Sequence, residues 1–154
     1  MNIPAYFLAV FAAVVLTGCW GSGTADSASS KEEAFREVMG FPPTVAVSEI
    51  RSGYYYMRDN YIRWLRFKCD ADTLKKIEKE AGFAAASGGN PRWAPGFADR
   101  TKNPNAPDWW WELEGVGSFR QFEREVSKDH GSDTAHIWVD PKTFTVFATR
   151  DVID

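Results

Sequence analysis

His136 to Thr149 reads HIWVDPKTFTVFAT, and this stretch decides the fold. His136-Ile137-Trp138-Val139 and Phe144 to Thr149 both alternate as half-buried strands do, and Asp140-Pro141-Lys142-Thr143 joins them. Asp at the first position of a turn and Pro at the second suit a type I turn. The stretch is therefore read as a β-hairpin. A lone hairpin is marginal in water and needs neighbours, so the rest of the chain must supply strands to pair with it and helices to cover it.

Working outward, Ser118 to Val126 (SFRQFEREV) fits two patterns. Ser118 and Gln121 suit a capping box, with Phe119, Phe122 and Val126 on a helical face. Phe122, Arg124 and Val126 equally suit an alternating strand, and the hairpin's need for a neighbour favours the strand. Farther upstream, Thr44 to Tyr56 and Tyr61 to Cys69 are rich in β-branched and aromatic residues. Met57-Arg58-Asp59-Asn60 between them suits a tight turn. In the second of these strands Leu65, Phe67 and Cys69 share one parity and are assigned to the core; Trp64, Arg66 and Lys68 share the other.

Two helices complete the pattern. Lys31 to Met39 (KEEAFREVM) carries acids in its first turn, Ser29 or Ser30 as N-cap and Gly40 as its stop. Asp70 to Thr73 supplies caps for a second helix, in which Leu74, Ile77 and Ala81 form the apolar stripe and Gly82 ends it. Ala84 to Asp108 is rich in Pro and Gly and is read as a long loop. The order helix, two strands, helix, loop, then two or three strands predicts an α+β domain. It has an antiparallel sheet of about 4–5 strands with one or two packed helices.

The 154 residues include 44% apolar and 25% charged side chains, which excludes a wholly disordered chain. Lys31 to Asp154 is enough for one domain with its own core. It holds all 18 basic residues and every acid but Asp26, leaving a charge of −2 against −3 for the chain. That balance argues against nucleic acid as a partner. Two cysteines make no disulfide framework. No cofactor is called for, and with only His130 and His136 and no clustered ligands, no metal either.

Ile3 to Gly18 is an uncharged run, short for a membrane span and suited to a signal-peptide core. It ends in Leu16-Thr17-Gly18-Cys19, which resembles the lipobox of bacterial lipoproteins. The resemblance implies that 1–18 is a signal peptide cleaved after Gly18. It implies a diacylglyceryl group on the Cys19 thiol and a fatty acyl chain such as palmitate on the new amine, and so a lipid-anchored location in the cell envelope. Several acyl chains on one residue anchor firmly where one binds only marginally. Trp20, in place of Asp, favours the outer membrane if the host has two. Residues 19–30 read as the lipidated cysteine and a flexible linker, with a reach of roughly 17 Å for ten such residues. Residues 31–154 then form the single domain, loosely similar to small, uncharacterised envelope lipoproteins with a Trp-containing loop and a final hairpin.

Catalytic residues are not assigned. Cys69 reads as a small core side chain. Glu112 and Glu114, at i and i+2 on a strand beside tryptophans, could serve as the paired carboxylates of an envelope glycan hydrolase. The binding candidates are Trp93, Trp109, Trp110 and Trp111, as sugar-stacking faces or protein-interface anchors. Arg51, Arg58, Arg63, Arg66 and Lys68, interleaved with Tyr54, Tyr55, Tyr56, Tyr61 and Trp64, form a second candidate surface for an anionic partner. The expected function is a binding or interaction module for an envelope protein or cell-wall glycan. The alternatives are the hydrolase and an immunity- or inhibitor-type lipoprotein.

Overall fold

A computed structural model describes residues 20–24, 28–58, 60–85, 104–127 and 131–153. The chain is α+β, as the element order predicts. One antiparallel sheet of seven strands, more than the four or five expected, runs β1-β2-β3-β7-β6-β5-β4. The strands are β1 (Trp20–Thr24), β2 (Ser48–Met57), β3 (Asn60–Lys68), the two-residue β4 (Ala84–Ala85), β5 (Arg120–Ser127), β6 (Ser132–Asp140) and β7 (Thr145–Ile153). The helices are α1 (Ala28–Met39), α2 (Ala71–Glu80) and a 3-10 helix at Asp108–Gly115. Ser118 to Val126 resolves as strand from Arg120 onward, and β7 joins the two halves of the sheet by pairing with β3 along its whole length.

The β6–β7 turn forms, one residue longer than read: Phe144 belongs to it at φ +54°, and its amide donates to Asp140 O at 2.9 Å. Asp140 Oδ1 accepts from the Lys142 amide at 2.9 Å and Oδ2 from Thr143 Oγ1 at 2.7 Å. These bonds hold the Asp140 carboxyl below its usual pKa. Asp70 caps α2 by accepting from the Thr73 amide at 2.7 Å, a contact worth about 1 kcal/mol. Helix α1 begins earlier than expected, so Ser29 and Ser30 lie within its first turn rather than capping it.

One face of the sheet is packed by α1 and α2. Phe35, Val38 and Met39 meet Leu74 and Ile77 over Leu65, Phe67, Ile137 and Val146. Both helices end in a left-handed glycine, Gly40 at φ +82° and Gly82 at φ +73°. Arg124 reaches from β5 to the two helix ends together: Nη2 donates to Val38 O at 2.8 Å, and Nη1 to Ala81 O at 2.8 Å and Met39 O at 3.2 Å. A Cβ on Gly40 would stand 2.8 Å from Arg124 Nη1, so glycine is needed there for space as well as for φ. A cation at a helix C-terminus is favoured by the aligned peptide dipoles; here one guanidinium serves two helices.

The opposite face corrects the sequence reading. Trp64 and Arg66 share the parity assigned to the outside, yet both are buried. The 3-10 helix covers that face, packing Trp110, Trp111 and Leu113 against Trp64, Trp138 and Phe147. The linker reading is also corrected in part. Trp20–Thr24 pairs antiparallel with Gly53–Met57 as an edge strand, and α1 starts at Ala28. A Gly/Ser-rich segment can pair because the ladder is made by backbone groups, whatever the side chains.

Candidate functional site

The predicted site residues fall in different places. Cys19, Trp93 and His130 lie outside the described residues. Trp109 is half-buried, and Trp110 and Trp111 are buried. Trp110 stacks edge-on against Trp138 and Phe147 at 5.8 and 5.9 Å. The expectation of exposed indole faces therefore does not hold for Trp110 and Trp111, because the helical turn drives them into the sheet.

Glu112 and Glu114 sit on the same 3-10 helix, not on a strand, so the i, i+2 geometry expected of them is absent. Glu112 is held by two arginines, Arg66 Nη2 at 2.9 Å and Arg51 Nη1 at 3.2 Å. It ties the helix to β2 and β3. The basic hairpin is largely neutralised in the same way. Lys68 meets Glu49 at 2.8 Å, and Arg63 meets Glu37 at 3.0 Å. Cys69 is half-buried, packed against the main core, with its Sγ 3.8 Å from Phe144 O. Burial and the nearby Asp70 push its thiol up to about 11, which suits a packing residue better than a nucleophile.

The functional candidate that the sequence reading missed lies where the 3-10 helix stops covering its face. Register fixes the side chains there. Glu123 on β5 is opposite His136 on β6, and His136 is opposite Thr149 on β7. In the next row Thr134, Asp151 and Ile62 are opposite one another across β6, β7 and β3, and Tyr55 on β2 continues the line. Directly opposed residues stand about 4.5–5.5 Å apart, and diagonal ones about 7–8 Å. These rows line a cavity of about 500 Å³, whose lining continues at the sheet's end through Asn60, Ser132 and Ile153. That volume fits a small ligand or a group projecting from a larger one.

Asp151, His136 and Glu123 are among the titratable residues that line this cavity. Burial pushes the Asp151 carboxyl up to about 7, opposed only by the hydrogen bond that Thr149 Oγ1 donates to Oδ2 at 3.5 Å. Asp151 Oδ1 is buried with no hydrogen-bond partner among the described residues. Burial also lowers the His136 pKa, with Glu123 pulling it back up. His136 stacks at 6.0 Å on Trp138, so the cavity abuts the tryptophan cluster. Among the described residues lining the cavity there is neither Lys nor Arg. A buried carboxyl perturbed in this way, inside a concave site, marks a functional candidate.

The signal for Asp151 was present in the sequence: alternation continued past Thr149 sets it in line with Phe147. Among the described residues no group of His, Cys, Asp and Glu is arranged to hold a metal ion. Nor is any described helix long and apolar enough to cross a membrane. Compared with known proteins, the chain matches no family model, no curated protein sequence and no solved structure.

Proposed function

We propose that this chain is a lipid-anchored binding protein of the bacterial cell envelope, in the outer membrane where the host has two. Its domain takes a ligand from the envelope into the sheet-face cavity. The anchor rests on Leu16-Thr17-Gly18-Cys19 after an uncharged run. The binding role rests on one observation: the 3-10 helix packs on one part of a sheet face, and described residues of another part of that face line a cavity of about 500 Å³. Catalysis is the weaker reading, because Glu112, the carboxylate best placed by sequence for it, is engaged by Arg51 and Arg66.

Metabolic labelling with a radioactive fatty acid tests the anchor. The wild-type chain takes up label and Cys19→Ala does not; label persisting in Cys19→Ala overturns it. For binding, the full chain is incubated with isolated envelope fragments beside Thr134→Trp, which fills the cavity. Retention by the wild type and its loss in a folded Thr134→Trp supports the reading. Equal retention by both removes the cavity from it.

A further inference from the structure

We propose that the cavity selects an organic cation, an ammonium group carried on an apolar body. The inference rests on the reading of the cavity as a binding site and specifies its ligand. Its charge is one-sided among the described residues: Glu123 and Asp151 line it, and no described Lys or Arg does. The neighbouring cations are turned elsewhere. Arg150 points to the helix-covered face, where it grips Asp133 at 2.7 Å, and Arg66 is held by Glu112. An anion entering this cavity would meet two carboxyls and no counter-charge.

The Asp151 carboxyl has a buried oxygen that lacks a donor. A buried carboxylate without a donor or counter-ion is costly, and a hydrogen-bonding cation supplies both. Tyr55 contributes an aromatic ring two strands away from Asp151, with Ile62 between them. A ring face beside carboxylates suits an alkylammonium, which is attracted to the π-system as well as to the charge. The apolar walls, Ile62 and Ile153, accommodate the body of the ligand. A neutral sugar supplies hydroxyl donors to the two carboxyls but no counter-charge.

Three probes with one ring and different charge test the inference: benzylamine, benzyl alcohol and benzoate. They are titrated into the full chain at pH 8, above the Asp151 pKa of about 7, and followed by NMR shifts of His136 and Tyr55. Benzylamine is expected to bind at least about ten-fold more tightly than benzyl alcohol, with no saturable shift from benzoate. Asp151→Asn keeps the shape and removes the charge, and should cut that preference to below about three-fold. Glu123→Gln, on a different strand, should reduce it in part and serves if Asp151→Asn does not fold. Equal or tighter binding of benzyl alcohol or benzoate overturns the cation assignment and leaves the cavity a binding site. An undiminished preference in both variants also overturns it. Absence of saturable binding by all three probes overturns this inference and the cavity reading together.

Discussion

Replacing Arg124 by methionine removes the guanidinium that holds both helices while keeping most of the aliphatic stem. Three carbonyls lose a donor: Val38 O, Met39 O and Ala81 O. Taken singly, a hydrogen bond from a charged donor contributes about 1.5–3 kcal/mol. Two effects reduce the total. Gly40 and Gly82 beside these carbonyls are exposed, so water can replace part of what is lost. The guanidinium is itself held below its usual pKa by burial and by the nearby Arg150, so it sits there at some cost. The stacking of Arg124 over Phe83 at 4.8 Å goes with it. The net loss expected is about 2–4 kcal/mol, or roughly 8–16 °C in Tm for a domain of this size. Urea unfolding of the full chain, followed by far-UV circular dichroism, reads it directly. Arg124→Lys should recover less than half, since a compact ammonium cannot span two helix ends as a planar fork does. A midpoint in Arg124→Met within about 0.5 kcal/mol of wild type would refute the clamp, since that is the ordinary scatter of surface substitutions.

Other outcomes follow from burial and titration. Trp110→Ala empties the centre of the second core and should destabilise by about 3–5 kcal/mol, with loss of near-UV dichroism; unchanged stability would return Trp110 to the surface-binding role first assigned to it. Asp151 has a folded pKa, about 7, above its ordinary 3.8. The folded chain therefore keeps that proton between roughly pH 4 and 7, and the group's contribution to stability falls as pH rises through this window. Asp151→Asn should accordingly gain on the order of 2–4 kcal/mol over wild type at pH 8 and almost nothing at pH 4. A pH-independent difference between the two melts would contradict the assignment. Cys69, raised from 9.0 to about 11, should be alkylated by iodoacetamide at pH 8 about 100-fold more slowly than an unperturbed thiol; comparable rates in native and urea-unfolded protein would count against its burial.

The fold was legible where the periodicity is strong. The β6–β7 hairpin shows period two on both sides of an Asp-Pro turn, and α2 has a capping Asp, a three-residue stripe and a terminal glycine. What escaped was of three physical kinds. Parity in β3 separates Leu65 and Phe67 from Trp64 and Arg66 but cannot say whether the far side is covered, and it is. Tryptophan favours strands in isolation, and a 3-10 helix is too short for its period to register, so Glu112 and Glu114 beside the tryptophans read as strand residues. Strand β1 joins the sheet through backbone pairing, which its Gly/Ser-rich composition, that of a tether, does not signal. Arg124 did leave a trace: it shares parity with Phe122 and Val126 in a strand whose other parity is polar. A charge in a core-facing position signals a buried partner, here two helix ends. Asp151 was missed because the hairpin was read only to Thr149, two residues short.

The edge strand changes what the anchor would do. Cross-strand register sets Trp20, Met57, Asn60, Ile153 and Ser132 in one row across the sheet. Asn60, Ile153 and Ser132 line the cavity, and Cys19 immediately precedes Trp20. An acylated Cys19 would thus bring the cavity's end of the sheet to the bilayer, with little free tether between. The β6–β7 turn at the other end would stand off by the length of β7, about 30 Å at 3.3 Å per residue. Spin labels at Arg58→Cys and Lys142→Cys on the lipidated chain in vesicles report this orientation. The label at 58 should relax faster with oxygen dissolved in the lipid, and Cys69 would not compete for it. Equal relaxation at both positions would mean that β1 leaves the sheet when the chain is anchored. The cavity would then be free to sample ligands away from the membrane, whereas a paired β1 restricts it to what the bilayer surface presents.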